Sequence, residues 1–387
     1  MVLLLGRLAG AYGQASSLAA PALVVAPGLH LPADTAVAQQ LPAALAGLLV
    51  ARSQSPNVGA YLPTPAQPED FMLLDELYGL EQPRPALPAT SYRPHLLGIT
   101  DLDSGRYLVQ LGSLGLAPDG LPVLRATCEL LARRTTPGRF TFASPLRART
   151  QAWHSTRFGA CTFRYATTLD RKAAATYARY MADFDRRLHS RDWPTEVFCC
   201  ADLPEVLCLA GITYKADYSG YAHSSLSARA NHRLLLLDAT ANRFDPHDLW
   251  HQRLRNVVPA ASINKAVDEG CAFRYAGSWG LTWPQILTQF KAWAATQPQA
   301  DWLHLYQEAV NYAPPSQKPL LVSYTLNALI IEQLERDKGF GAVQQLLTCG
   351  KMEKGNDNYF RVLTQVAGIT QDNFNARVGA LVQASHL

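Results

Sequence analysis

Charged residues are scarce in this chain: they fill 17% of its 387 positions, against ~25% in an ordinary globular protein. A disordered chain needs much charge and few apolar groups. With 48% apolar residues, this one is excluded from that class. Neither sign of charge dominates. Thirty-five basic and 31 acidic residues leave a net charge of +4. No basic stripe with interleaved aromatics occurs, so nucleic acid is not an expected partner. No window approaches the ~18 uninterrupted apolar residues of a transmembrane helix, so no integral membrane segment is expected. A C-x-x-C pair is missing too. Cys128, Cys161, Cys199, Cys200, Cys208, Cys271 and Cys349 follow no metal-site or disulfide framework. They read as buried thiols, with room for one disulfide in an exported chain. A G-x-S-x-G elbow, a phosphate loop and a dinucleotide fingerprint are all lacking. What remains is a globular chain, too long for one core of ~250–300 residues and so built of two or three domains.

The opening residues, Met1–Ser16, form a short apolar block followed by small residues at Ala11, Gly13 and Ala15. That is the pattern of an export signal, so a periplasmic or extracellular location is expected. Twelve of the 25 prolines fall between Pro21 and Pro94. Proline removes backbone donors, so residues 17–94 are expected to be loop, extended chain and short helix. One helix is expected within Asp34–Arg52. Residues 95–167 read as a small α+β domain. Tyr107–Leu111, Phe140–Phe142 and Cys161–Tyr165 are its strands, and Leu124–Arg134 its helix, with Leu124, Cys128 and Leu131 on one face. Asp101–Gly105 is a polar turn with only a faint likeness to a calcium loop. From residue 168 the rhythm changes. Leu169–Leu188 is an amphipathic helix, Glu196–Cys200 a strand, Leu203–Leu209 a helix and His232–Leu237 a strand.

The chemistry lies next. Asp245-Pro-His-Asp-Leu-Trp-His251 opens like a helix, with Asp245 able to cap it and Pro246 at the first turn. Four residues rotate a helix by about 400°, so His247 and His251 stand on one face, one turn apart. Two imidazoles so placed can hold one zinc ion at ~2.0–2.1 Å each. Asp248 can lean over the same point and take a proton from an attacking water. Ten histidines in this length give about 0.26 chance pairs at that spacing; requiring an acid second reduces the figure to about 0.02. The same Asp248 would also suit the helix dipole, and His251 a buried core.

Downstream, Asn264–Gly280 reads as a second helix ending in a glycine-rich turn and carries Glu269-Gly270-Cys-Ala-Phe-Arg-Tyr275. With these residues the chain resembles the gluzincins, zinc metallopeptidases of the peptidase MA type. Their metal helix is followed by a second helix whose Glu-Gly supplies the third ligand. The resemblance implies zinc held by His247, His251 and Glu269, with a fourth position open as a catalytic zinc needs. It implies a zincin-like α+β domain over 168–387: a small mixed sheet, the metal helices, and helical stretches at Trp283–Thr296, Tyr324–Glu335, Phe340–Leu347 and Asn373–Val382. Residues 1–167 lie outside it.

Two positions depart from the family pattern. Asp248 stands where the family has Glu, about 1.5 Å shorter in reach. Phe273 stands where some members carry a carboxylate that orients a ligand histidine, leaving Asp268 as the local substitute. An oxyanion-stabilising tyrosine, as the family often has, would be Tyr324 or Tyr275. His223 and His232, flanking Ser224, Ser225 and Ser227, are candidates for substrate contact. The expected function is therefore a zinc-dependent peptidase acting on a peptide or protein. The alternative is a weakened or inactive relative that serves as a binding or scaffold module; a third reading makes the His-Asp motif accidental.

Overall fold

The computed structural model describes residues 23–51, 55–80, 92–117, 119–190, 193–220, 225–239, 244–353 and 355–385. The apolar block at 1–16, His223 and Ser224 lie outside them. In chain order the first elements are β1 (Val24–Val25), α1 (Thr35–Ala51), α2 (Pro68–Gly79), β2 (Arg93–Asp101), β3 (Arg106–Leu116), β4 (Pro122–Thr136), β5 (Arg139–Ala143), α3 (Leu146–Arg149), β6 (His154–Phe158) and β7 (Cys161–Tyr165). There follow α4 (Arg171–Arg187), β8 (Thr195–Cys199), α5 (Leu203–Leu209), β9 (Ile212–Lys215), β10 (Ser225–Ala230) and β11 (Arg233–Asp238). The rest is helical: α6 (Pro246–Val257), α7 (Lys265–Ala276), α8 (Trp283–Ala294), α9 (Trp302–Gln307), α10 (Val322–Lys338), α11 (Phe340–Leu347), α12 (Asp357–Ala367) and α13 (Phe374–Ala384). The class is α+β. No helix among the described residues is long and apolar enough to cross a membrane.

The chain divides into two compact units. Among the described residues the first comprises 23–174 and 193–239, and the second 175–190 and 244–385. The first unit holds both sheets. One runs β1-β2-β3-β4-β5, with β9 also paired to β4, and is antiparallel except at β1–β2. The other runs β10-β11-β8-β7-β6, with β7, β8 and β11 parallel and an antiparallel strand at each edge. Its central strands are buried on both faces, as parallel strands require: Val197, Phe198, Leu236 and Leu237 are all at most 3% exposed.

One expectation for this unit is corrected. Leu124–Arg134 is not a helix but the middle of β4. Leu124 is exposed, and burial alternates through Ala126, Cys128, Leu130 and Ala132 with the period of two that defines a strand. The helix expected within Asp34–Arg52 is α1, and a second helix, α2, follows it in the proline-rich segment. Helix α1 has 17 residues with Pro42 inside it. An interior proline costs ~3 kcal/mol. Burying Leu41, Leu45, Leu48 and Leu49 on one stripe returns about 6 kcal/mol or more and outweighs it. Asp34 caps this helix by accepting from Ala36 N and Val37 N. Helix α2 begins with Pro68 in its first turn and a capping box between Gln67 and Asp70.

In the second unit α4 and α6 share a core. Phe184 meets Trp250 edge to face at 5.3 Å, and Tyr177 packs on Phe244. Buried Asp185 pairs with buried Arg253 at 2.6 Å. Helices α7 and α10 cross at Gly270, where the two backbones come close enough that any side chain at 270 would meet Asn327. That crossing and the α6–α7 contact position the residues described next.

Candidate metal centre

Helix α6 starts as its sequence dictates. Asp245 accepts from His247 N at 2.9 Å, and Pro246 needs no donor in the first turn. Helix α7 is started by Asn264, which accepts from Val267 N, and is stopped by Gly277 at φ 80°. These two starts set the phase of both helices. His247 and His251 fall on one face of α6 with ring centroids 4.8 Å apart. Glu269 comes from α7 to meet them.

Three atoms converge. His247 Nε2 lies 3.2 Å from His251 Nε2 and 3.3 Å from Glu269 Oε2; His251 Nε2 lies 3.8 Å from that same oxygen. Donors bound tetrahedrally at ~2.0–2.2 Å are separated by ~3.4 Å. The spacing therefore fits a tetrahedral ion with little movement. The donor set, two imidazoles and one carboxylate, is of the kind that holds a catalytic zinc and leaves one position open.

The other ring nitrogens fix the tautomers. His247 Nδ1 lies 2.8 Å from Gly277 O. A carbonyl only accepts, so Nδ1 carries the proton and the neutral ring presents its lone pair at Nε2. His251 Nδ1 donates to Asp268 Oδ1 at 2.9 Å, and Trp250 Nε1 donates to the same oxygen at 3.0 Å. Asp268 is buried and adjoins Glu269 on α7. Successive helical residues project about 100° apart. One carboxylate thus reaches the ligand cluster while its neighbour braces a ligand from behind. Such partners orient ligand histidines and raise their basicity. Asp268 accepts this hydrogen bond from His251, which Phe273 could not do. Phe273 instead packs its ring at a tilt against that of His247, centroids 6.0 Å apart. The carbonyl of Gly277 had no sequence signal beyond the glycine that ends the helix.

Electrostatics follow from this packing. Burial of His247 opposes its charged form, but the hydrogen bond and charge of Glu269 prevail and raise its pKa to about 9. Burial likewise opposes the Glu269 carboxylate, and His247 and His251 together hold its pKa below the usual value. At pH 7 the metal-free site therefore keeps a proton on His247 that a metal ion must displace. Binding at pH 7 is expected to release about one proton, and affinity to rise about tenfold per pH unit up to pH 9 and then level. Calorimetry in buffers of different ionisation enthalpy counts the proton; a count of zero contradicts the assignment.

The remaining candidates separate. Asp248 is half-buried one residue along from His247. Burial pushes its carboxyl pKa up, and the charges of His251 and His247 pull it partly back. Its carboxylate has no hydrogen-bond partner among the described residues. Tyr324, in the first turn of α10, is half-buried and meets Phe273 edge to face at 5.7 Å. Burial, then the charges of Glu269 and Asp268, push its phenol pKa up, so it remains a donor. Tyr275 is corrected: its hydroxyl donates to Glu335 at 2.9 Å and its ring carries Arg187 at 4.1 Å, so it ties α7 to α4 and α10. His232 occupies the turn between β10 and β11, at φ 58°, packed on Trp193 in the first unit. Ser225 and Ser227 lie on the edge strand β10. No family model matches the chain, and no curated protein or solved structure matches it either.

Proposed function

We propose that the chain is a zinc-dependent peptidase of gluzincin type, with its metal held by His247, His251 and Glu269. The observation that carries this reading is the convergence of three ligand atoms at tetrahedral spacing, with both imidazoles held in the tautomer that presents Nε2. A divalent ion bound there supplies Lewis acidity, polarising the scissile carbonyl and lowering the pKa of water. The chain's own groups do the rest. Asp248 takes the proton of the attacking water, a task that suits a carboxyl whose pKa burial has raised. It then passes that proton to the leaving amine. Tyr324 donates its hydroxyl proton in a hydrogen bond to the developing oxyanion. The helices that carry this proposed centre lie in the second unit, residues 175–190 and 244–385.

A second reading is favoured by one feature, the short Asp248 with no hydrogen-bond partner among the described residues: a protein that keeps the metal and binds peptides without cleaving them. The test joins metal content with turnover. The purified protein is expected to hold about one equivalent of zinc. Asp248→Asn should lower peptide hydrolysis by about 10²–10⁴-fold with the zinc retained. Asp248→Glu should raise it by restoring reach. A zinc-loaded protein inert toward broad peptide libraries selects the binding reading. A protein that binds no zinc under metal-replete conditions removes both.

A further inference from the structure

Between α7 and α8 the chain makes a tight turn, Ser278–Leu281, closed by Ser278 N donating to Leu281 O and Leu281 N to Ser278 O, both at 2.9 Å. The turn is anchored to the metal centre, because Gly277, just before it, holds His247 Nδ1 through its carbonyl. Three of the four residues 277–280 have positive φ: Gly277 at 80°, Trp279 at 54° and Gly280 at 78°. The glycines take that conformation freely, and at Gly277 no Cβ would fit against Leu281 O. Trp279 takes it against the preference of an L side chain. It is also the one exposed tryptophan among the described residues, at 39%. Burial therefore does not explain a bulky indole here, and glycine would satisfy the turn with less strain.

The indole is nonetheless held in place. Its Nε1 donates to Pro319 O at 3.3 Å, and Lys318 Nζ lies 5.4 Å from the ring centroid. Both partners belong to the exposed loop 314–319, which leads directly into the first turn of α10 and Tyr324. No carboxylate pairs with Lys318 among the described residues, and the loop from 311 to 321 contains no acid. The pair thus joins two segments, one continuous with the Gly277 carbonyl that holds a metal ligand, the other with Tyr324. Trp279 is two residues, at most ~7 Å of backbone, from Gly277. An extended peptide advances ~3.3 Å per residue. The rim is therefore within reach of a side chain a few residues from a bond placed at the metal.

We infer that Trp279 and Lys318 form the substrate-reading rim of this centre and select peptides with an acidic side chain near the scissile bond. The ammonium meets the carboxylate, and the indole face covers the methylenes that carry it. This inference rests on the peptidase reading of the metal site. It deepens that reading by naming the substrate class.

The test uses the zinc-loaded full chain and three probes: acetohydroxamate, a glutamyl-containing peptide hydroxamate and its lysyl counterpart, with binding followed by calorimetry. The wild type is expected to favour the glutamyl probe by about tenfold or more. Lys318→Glu should reverse that preference, and Trp279→Gly should weaken both peptide probes by about tenfold. Acetohydroxamate affinity and zinc content should stay unchanged in both variants, and the Tm of Trp279→Gly should be unchanged or higher. Equal affinity for the two peptide probes, or variants that leave peptide affinity intact, overturns the rim while leaving the metal site standing. Failure of acetohydroxamate to bind the zinc-loaded wild type instead brings down the peptidase reading and the rim with it.

Discussion

Replacing Asp268 by alanine is expected to weaken zinc binding by about 10–100-fold and to lower the stability of the metal-free protein by about 2 kcal/mol or more. One oxygen, Oδ1, accepts from both Trp250 Nε1 and His251 Nδ1 inside the protein. Removing it leaves two buried donors unsatisfied, each at about 1–3 kcal/mol. The affinity loss has a separate origin. Without an acceptor behind it, His251 is free to carry its proton on Nε2, the atom aimed at the metal, and the ring loses the bond that sets its angle. Asp268→Asn divides the two contributions. An amide oxygen can still accept, so most stability should return, while the lost charge weakens the hydrogen bond behind His251 and leaves affinity part-way down. Zinc affinity by chelator competition and urea unfolding of the apo form read the two quantities independently. An alanine variant with wild-type affinity would show that His251 needs no brace.

The parts of the centre that were legible in the sequence are those set by local geometry. The spacing of His247 and His251, with Asp245 and Pro246 ahead of them, determines a helix face regardless of the rest of the fold. Glu269 was legible only through resemblance, since nothing local to α7 shows that its carboxylate comes within 3.3 Å of a histidine on another helix. Asp268 shows the limit. Two adjacent acids on one helix point in different directions, and which one faces the ligands depends on the angle at which α7 crosses α6. Helix α7 gives no marked amphipathic stripe to settle that angle, being buried from Ala266 through Phe273 with only Glu269 less so. In β4 the difficulty was competing periods. Leu124, Cys128 and Leu131 satisfy a helix while Ala126, Cys128, Leu130 and Ala132 satisfy a strand. The choice falls to pairing with β3 across eleven residue pairs, a contact no local window contains.

Substituting Gly270 is expected to destabilise the second unit and to reach the metal through the fold. A Cβ at 270 would stand 2.6 Å from Asn327 Cβ, 3.0 Å from Ala328 N and 3.1 Å from Asn327 C, so α10's own backbone blocks it. Asn327 cannot swing away. It is fully buried, accepts from Tyr359 Oη at 2.9 Å and donates to Ser323 O at 2.9 Å. Alanine in place of glycine within a helix gains ~1 kcal/mol of propensity, whereas overpacking of this kind costs ~1–3 kcal/mol and more when backbone must move. Gly270→Ala should therefore be destabilising on balance, by about 1–3 kcal/mol, and Gly270→Val by about 4 kcal/mol or more. Gly341 in α11 provides the contrast: a Cβ there meets nothing within 4 Å, so Gly341→Ala should be neutral or gain up to ~1 kcal/mol. The strain at 270 is relieved by parting α7 from α10, which displaces the neighbouring Glu269 from a cluster whose ligand spacing tolerates only tenths of an ångström. Zinc affinity of folded Gly270→Ala, measured well below its Tm, should then fall by at least about tenfold. Wild-type affinity and stability in that variant would mean that the two helices need not cross as closely as Glu269's placement requires.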